Sequence, residues 1–375
     1  MSNTETGHKK YYTAECAYAI AEMINRSYPN QINADDYAAE VQSQIAPLEL
    51  KDRVYVLANC LRKRLPQDYP TAINMIVDSL GPEDEDLKGM FNEGWYLMPI
   101  ARFIEEFGLN FPQVSLNALA EVTKRHTAEY AVRPYIEQHY EFTMRIISDW
   151  AMSPNFHLRR AASEGIRPRL PWASKLQCFI DDPKPVLAIL EMLRSDSSDF
   201  VRKSVGNNLN DISKNWPDLV IETLERWKSE SPTTETKQIT KRAVRGLIKS
   251  GNKRALSLIG ATGGEDIKVP YFNITPRVIQ FGESFQLEVN LINPSLTNHS
   301  LTVDYVIHHV RKNGRKIPKA FRLASFKLCP EESRSITKKH IIKAVGVRTY
   351  YGGQHRVDIV VNGLIKASLV FELII

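Results

Sequence analysis

The sequence predicts a multi-domain protein, an α-helical repeat domain followed by a small all-β sandwich. Three observations carry this prediction. Apolar residues recur at spacings of three and four through residues 10–260, with little strand-like alternation. A glycine-rich break, Gly260-Ala-Thr-Gly-Gly-Glu-Asp266, interrupts that pattern. Beyond the break the apolar period switches to two. The expected organisation is a loose polar tail over 1–9, a helical domain over 10–260, a linker over 261–269 and a β-domain over 270–375.

Within the helical part, Tyr11 to Met23 and Val54 to Leu65 have amphipathic spacing, and Trp95 and Tyr96 are expected to pack between repeats. A weak internal repeat starts at Leu158-Arg159, Val201-Arg202 and Thr240-Lys241, with Ala162, Val205 and Val244 four positions on. That period matches HEAT-like helix pairs, which bury their apolar faces by stacking into a curved solenoid. Around Val201 the residues Val201, Val205, Leu209 and Ile212 form an apolar stripe. Lys203, Asn207, Asn210, Asp211 and Lys214 form a polar one beside it. Arg160, Glu164 and Arg167 share a face in the preceding repeat, as Arg242, Arg245 and Lys249 do in the following one. One such face is ordinary solvated surface. Three in succession predict a phosphate-binding groove.

In the β-part, Phe285, Leu287, Val289 and Leu291 alternate with polar residues, as do Leu301, Val303, Tyr305 and Ile307. Asn313-Gly314 and Asn362-Gly363 stand where tight hairpin turns belong. About seven short strands suit an immunoglobulin-like sandwich. Cys329 is the one cysteine here, so the inter-sheet disulfide of antibody domains is excluded.

The four cysteines, Cys16, Cys60, Cys178 and Cys329, have no metal-ligand spacing, so no zinc site is expected. Residues 1–10 lack the apolar core of a secretory signal, and no apolar run is long enough for a membrane span. A reducing cytoplasm is the expected location. The net charge of +6 hides a gradient: −8 over residues 1–150, +7 over 151–264 and +7 over 265–375. An acidic first part followed by two basic parts points to a polyanionic partner. The candidate contacts are Arg160, Arg167, Arg169, Lys203, Asn207, Lys214, Arg242 and Arg245. In the β-domain they are the hairpin residues Arg311, Lys312, Arg315 and Lys316, and the stretch 348–356.

The most informative stretch runs from Asn155 to Trp172 and contains RRAASEGIRPRLPW. Pro168 and Pro171 end a helix and stiffen the turn that carries Trp172. Trp172 as a core anchor and Glu164 as a salt-bridge partner of Arg160 or Arg167 would also fit these residues. Together with TAEYAVRPYI upstream and VRKSVGNNLNDISK downstream, the run resembles the AlkC branch of the AlkC/AlkD alkylbase DNA glycosylases. The resemblance covers most of residues 10–260, and the β-domain resembles the appendage of one AlkC subset. It implies hydrolysis of the N-glycosidic bonds of cationic bases in double-stranded DNA: 3-methylcytosine, 1-methyladenine and 3-methyladenine. It implies no metal or organic cofactor, excision without full base flipping, and a monomer of the bacterial cytoplasm that associates with the nucleoid when bound to DNA. By position in the motifs, Glu129, Glu164 and Asp211 resemble the acidic cleft residues and Trp172 the cleft aromatic.

The chemistry suits these residue types. A base alkylated on a ring nitrogen leaves as a neutral molecule and needs no acid to protonate it. Carboxylates offset charge on the oxocarbenium-like sugar and accept a proton from water. Glu164 and Asp211 are the expected pair nearest the sugar, whereas Glu129 has Arg133 one turn away as a structural partner. The competing expectation is a non-catalytic helical-repeat scaffold that binds protein or damaged DNA. No P-loop, G-x-S-x-G or clustered Cys/His pattern supports another enzyme class.

Overall fold

The computed structural model describes residues 8–86, 93–261, 263–344 and 349–375. The chain divides into two compact units. The first comprises Met1–Asn215 with Thr233–Ile239, and the second Trp216–Pro232 with Thr240–Ile375. The division falls inside the helical region, so the last helices group with the β-domain. Most of the expected tail, residues 1–7, lies outside the described residues. His8–Tyr11 form a 3₁₀ turn, and Lys9 bonds Glu49 at 3.0 Å, so the tail does not extend to residue 9.

The first unit is helical. It contains α1 (Ala14–Ser27), α2 (Ala34–Ile45), α3 (Leu50–Arg62), α4 (Tyr69–Asp78), α5 (Met98–Phe107) and α6 (Pro112–Thr123). Then follow α7 (Arg133–Gln138), α8 (Tyr140–Ala151), α9 (Phe156–Glu164), α10 (Gln177–Asp181), α11 (Lys184–Met192) and α12 (Asp199–Ile212). Helices pair both with their chain neighbours and across intervening elements: α1 packs on α2, α3 on α5, and α9 on both α8 and α12. The expected stripe of α12 is internal, with Val201, Val205, Leu209 and Ile212 all buried. Asn210 and Asp211, expected on the open polar stripe beside it, are buried as well. Trp95 packs against Tyr11 and Tyr12, with ring centroids 5.5 and 6.2 Å apart.

The third repeat departs from the sequence reading. Thr240 lies inside α14 (Thr234–Ala243) rather than at a helix start. The chain breaks at Val244 before α15 (Arg245–Lys249). Arg242 and Arg245 are therefore on different helices, where Arg245 donates to the Arg242 carbonyl at 2.7 Å. Both fall in the second unit, so the first unit holds only two members of the expected three-helix stripe.

In the second unit α13 (Pro217–Glu230) and α15 pack on α16 (Lys253–Leu258). The strands are β1 (Lys268–Thr275), β2 (Val278–Gln280), β3 (Ser284–Ile292), β4 (His299–Val310), β5 (Lys316–Leu328), β6 (Ser333–Ile341), β7 (Gly353–Val361) and β8 (Leu364–Ile374). One sheet has the order β1-β3-β6 and the other β2-β8-β7-β4-β5, with β2–β8 the parallel pair. The first strand begins at Lys268, inside the expected linker. The alternating residues of β3 and β4 meet those of β7 and β8 in one apolar core that includes Phe285, Tyr305, Ile359 and Phe371. Asn362-Gly363 forms a two-residue turn with φ of +45° and +80°, which joins β7 to β8 in the primed geometry favoured by strand twist. Asn313-Gly314 does not form one. The loop of residues 311–315 closes through Gly314 N to Arg311 O at 2.8 Å and Arg311 N to Arg315 O at 2.9 Å.

One glycine matters for the site. A Cβ on Gly165, at the end of α9, would stand 2.6 Å from Val132 Cγ1 and 3.2 Å from the Ala161 carbonyl oxygen. Overpacking of this kind costs about 1–3 kcal/mol. Gly165→Ala is expected to lower the stability of the first unit by that order in urea unfolding, and Val132→Ala to recover most of the loss. An additive double variant would contradict this packing.

Candidate active site

The site is assembled at the end of α9. Asn155 caps the helix, accepting from the backbone N–H groups of His157 at 2.9 Å and Leu158 at 3.3 Å. Pro168 and Pro171 cannot continue it, and the chain turns away through the RPRLPW segment. The helix is unusually polar inside: Arg160, Ser163 and Glu164 are all buried. Their partners come from the loop before α7 and from α12.

Those partners form an alternating ladder of charge. Arg160 grips Glu129 through two nitrogens, at 2.9 and 3.2 Å. It also lies 3.7 Å from Glu164 Oε1. Arg167 donates to that same oxygen at 2.7 Å. It reaches Asp211 Oδ2 through Nε at 2.9 Å and Nη2 at 2.8 Å. The outer end is Lys214, 2.9 Å from Asp211 Oδ1. The five inner groups are all below 9% exposed, whereas the Lys214 side chain is half exposed. Ser204 adds a hydrogen bond to Glu164 Oε2 at 2.6 Å, and the Arg160 guanidinium sits 5.0 Å from the Phe200 ring centroid.

The electrostatics follow from burial and pairing. Burial pushes the Glu164 carboxyl up, but Arg160, Arg167 and the Ser204 hydroxyl outweigh it and hold it below its ordinary value. Burial likewise acts to lower the two guanidinium groups, and their carboxylate partners raise both. Tyr130 is pushed up to about 12, first by burial and then by Glu129 and Glu164. Glu164 is therefore a fixed anion at neutral pH, and Tyr130 a permanent hydroxyl donor.

Trp172 stands on the turn after the ladder, with φ +64° and 72% of its surface exposed. It is no core anchor. The turn is tied by Arg169, which donates to Asn215 Oδ1 at 2.8 Å, and by Tyr130, which donates to the Pro171 carbonyl at 3.3 Å.

The three acids expected from the sequence are thus brought together, two of them on one guanidinium. Arg160 and Arg167, expected to hold phosphate, are instead buried and committed to those acids, which removes them from the protein surface. Arg169 is half-buried and tied to Asn215, Asn207 is half-buried, and Lys203 is exposed beside Asp199. In the second unit Lys312, Arg315 and Lys316 are exposed and Arg311 is half-buried. The stretch 348–356 is largely structural. His355 is buried, Tyr350 packs 5.5 Å from Phe281, and Arg356 pairs with Asp358 at 3.0 Å. Arg348 lies outside the described residues. Arg133 does not pair with Glu129 but donates to the carbonyls of Gly165, Arg167 and Ser174. Sequence reasoning missed this role, and it missed Ser204, whose one signal is its place seven residues before Asp211 on the same helix face. Among the described residues no group of three or more His, Cys, Asp or Glu side chains is gathered to hold a metal ion. No helix among them is long and apolar enough to cross a membrane.

Residues 122–245 match the family model described as DNA alkylation repair enzyme. Residues 268–375 match that of "Uncharacterised protein YhaZ, C-terminal Ig-like domain". A helical part that matches the alkylation-repair family, followed by an Ig-like domain, is the arrangement of an alkylation-repair DNA glycosylase. The solved Pseudomonas fluorescens alkylpurine DNA glycosylase AlkC, bound to DNA containing an abasic site analog, is 32% identical with a TM-score of 0.89. The match covers 98% of this chain and 99% of that one. YhaZ of Bacillus subtilis (strain 168) is 33% identical over 97% of this chain and 98% of its own length. The chain belongs to this AlkC family, in the subset that carries a C-terminal Ig-like domain.

Removing one partner from a buried ion network costs about 3–5 kcal/mol. Glu164→Gln is expected to lose stability of that order at neutral pH in urea unfolding. Because the folded-state pKa of Glu164 is depressed, its contribution is present above the unfolded value, about 4.3. It fades as pH falls through the lower folded value. The gap between wild type and Glu164→Gln should therefore close on acidification, and a gap constant with pH would contradict the ladder.

Proposed function

We propose that this protein hydrolyses the N-glycosidic bond of cationic alkylated bases in double-stranded DNA, with 3-methyladenine, 3-methylcytosine and 1-methyladenine as its substrate class. The carrying observation is that Glu164 and Asp211 meet on Arg167, with Glu129 joined to the same network through Arg160. A base that is already a cation departs as a neutral molecule. The task left to the protein is to favour positive charge on the sugar and to direct water at its anomeric carbon.

The oxygens divide that work. Glu129 presents both oxygens to Arg160, and Glu164 is held at one oxygen by Arg167 and at the other by Ser204. Both act as fixed negative charge. Among the described residues Asp211 Oδ1 is held by the half-exposed Lys214 alone, so it is the oxygen best able to exchange an ammonium for water or sugar. A DNA phosphate near Lys214 would draw that ammonium away. Trp172 offers an electron-rich face to a cation, an attraction of roughly 0.5–2 kcal/mol depending on desolvation.

Trp172 is largely exposed and not enclosed by the protein, which supports excision without full extrusion of the base. Stacked helix pairs such as α8–α9 and α9–α12 support a HEAT-like solenoid for the helical part. Lys203, Lys214 and the hairpin at 311–316 are the proposed phosphate contacts, which complement the deoxyribosyl site with counterion-releasing charge.

Base release from dimethyl-sulfate-treated duplex DNA tests this function. The wild type should release cationic methylated bases, and Asp211→Asn and Glu164→Gln should each lower the single-turnover rate by about 10²-fold or more. DNA affinity should fall steeply as salt rises. Binding without release, unchanged by either substitution, would show a damage-binding scaffold instead.

A further inference from the structure

A second group of side chains converges on the turn that carries Trp172. The indole is 72% exposed, so its direction is set by its backbone more than by packing. That backbone has φ +64°, a left-handed conformation that bulky L-residues rarely adopt unless their surroundings impose it. Three donors from distant parts of the chain take the carbonyls of this turn. Tyr130 Oη donates to Pro171 O at 3.3 Å. Lys51 Nζ, on the first turn of α3, donates to Trp172 O. Arg133 Nη2 donates to Ser174 O at 2.6 Å, while its Nη1 holds Gly165 O at 3.0 Å and Arg167 O at 2.9 Å.

The three donors also touch one another's surroundings. Lys51 Nζ lies 5.8 Å from the Tyr130 ring centroid. Together with Val54, Pro134 and Ala173 they line a cavity of about 260 Å³ behind the turn. Arg133 is buried, and its hydrogen bonds go to main-chain carbonyls of the α9 end and of this turn, while Glu137 acts on its charge without a hydrogen bond. Burial of such a cation pushes its pKa down to about 10, which leaves it protonated at neutral pH. Lys51 stands 121 residues from Trp172 and outside the segment 122–245 that matches the repair-enzyme family.

We propose that Lys51, Tyr130 and Arg133 are positioning residues that clamp the carbonyls of residues 171, 172 and 174, hold Trp172 in its left-handed conformation and so aim the indole at the substrate. This rests on the glycosylase reading above. It also gives the helices before residue 122 a task in the chemistry, since the lysine that fixes the indole belongs to α3.

The test uses the full chain labelled with 5-fluorotryptophan, with the Trp172 resonance assigned by Trp172→Phe. Lys51→Met and Tyr130→Phe each remove one donor at nearly constant shape. Either should shift and broaden the Trp172 ¹⁹F line and leave the other four tryptophan lines in place, and Lys51→Arg should restore it. In the excision assay the same variants should lower the single-turnover rate by about 10- to 100-fold, as expected for a displaced group, with little change in DNA affinity. In a Trp172→Ala background Lys51→Met should have no further effect. An unchanged Trp172 line in both variants, or an undiminished rate loss without the indole, would overturn the clamp. If the wild type releases no base, the functional reading fails while the fluorine spectra still decide whether the clamp exists.

Discussion

Everything at the site depends on one constraint, that five buried charges from separate elements must satisfy one another at once. Glu129, Arg160, Glu164, Arg167 and Asp211 alternate in sign, and the three between Glu129 and Asp211 touch neighbours on both sides. Taking such ions out of water costs several kcal/mol apiece, repaid only when geometry and hydrogen bonding are nearly complete. Completeness is why α9 carries Ser163 and Glu164 where a plain amphipathic helix would carry apolar residues. It is also why α12 faces α9 with Ser204 and Asn208, which bond Glu164 and the Ser163 carbonyl. A network of this kind cannot deform gradually, so it holds its carboxylates ready before any ligand arrives. Preorganised negative charge in a poorly hydrated setting favours a cation more than flexible surface acids do.

The scaffold around the ladder has a matching economy of backbone. Arg133 and Tyr130 take carbonyls that the end of α9 and the proline-rich turn leave without helical partners. Gly165 lets Val132 approach closely enough for those bonds to form. The exposed indole of Trp172 thus sits on a turn whose main chain is fastened from several directions.

Much of this was legible in the sequence, for identifiable reasons. The helix-to-strand switch near residue 260 is visible because burial imposes different periods on the two structures. Val201, Val205, Leu209 and Ile212 announce their face because an apolar stripe has one stable destination. The acids and Trp172 stood out through motif resemblance, and no spacing rule would have singled them out. What stayed hidden depends on contacts across long sequence separations. The pairing of Glu164 with Arg160 or Arg167 was open to the sequence, but the arrival of Glu129 and Asp211 from other elements, which completes the ladder around both arginines, was not. Lys51 carries no local signal at all. The break of the third repeat at Val244 was also unreadable, since helical periodicity runs through it. The stretch 348–356 looked like a binding loop by composition, yet His355 and Tyr350 serve the sandwich core.

The central claim is that the ladder prefers positive charge at the deoxyribose. The most direct measurement compares duplex DNA carrying a cationic pyrrolidine in place of the sugar with DNA carrying its neutral tetrahydrofuran counterpart, by affinity at fixed salt. The cation should bind more tightly by about tenfold or more, some 1.4 kcal/mol, with that preference abolished in Asp211→Asn. Equal affinity for the two analogues, or a preference that survives the substitution, would contradict it.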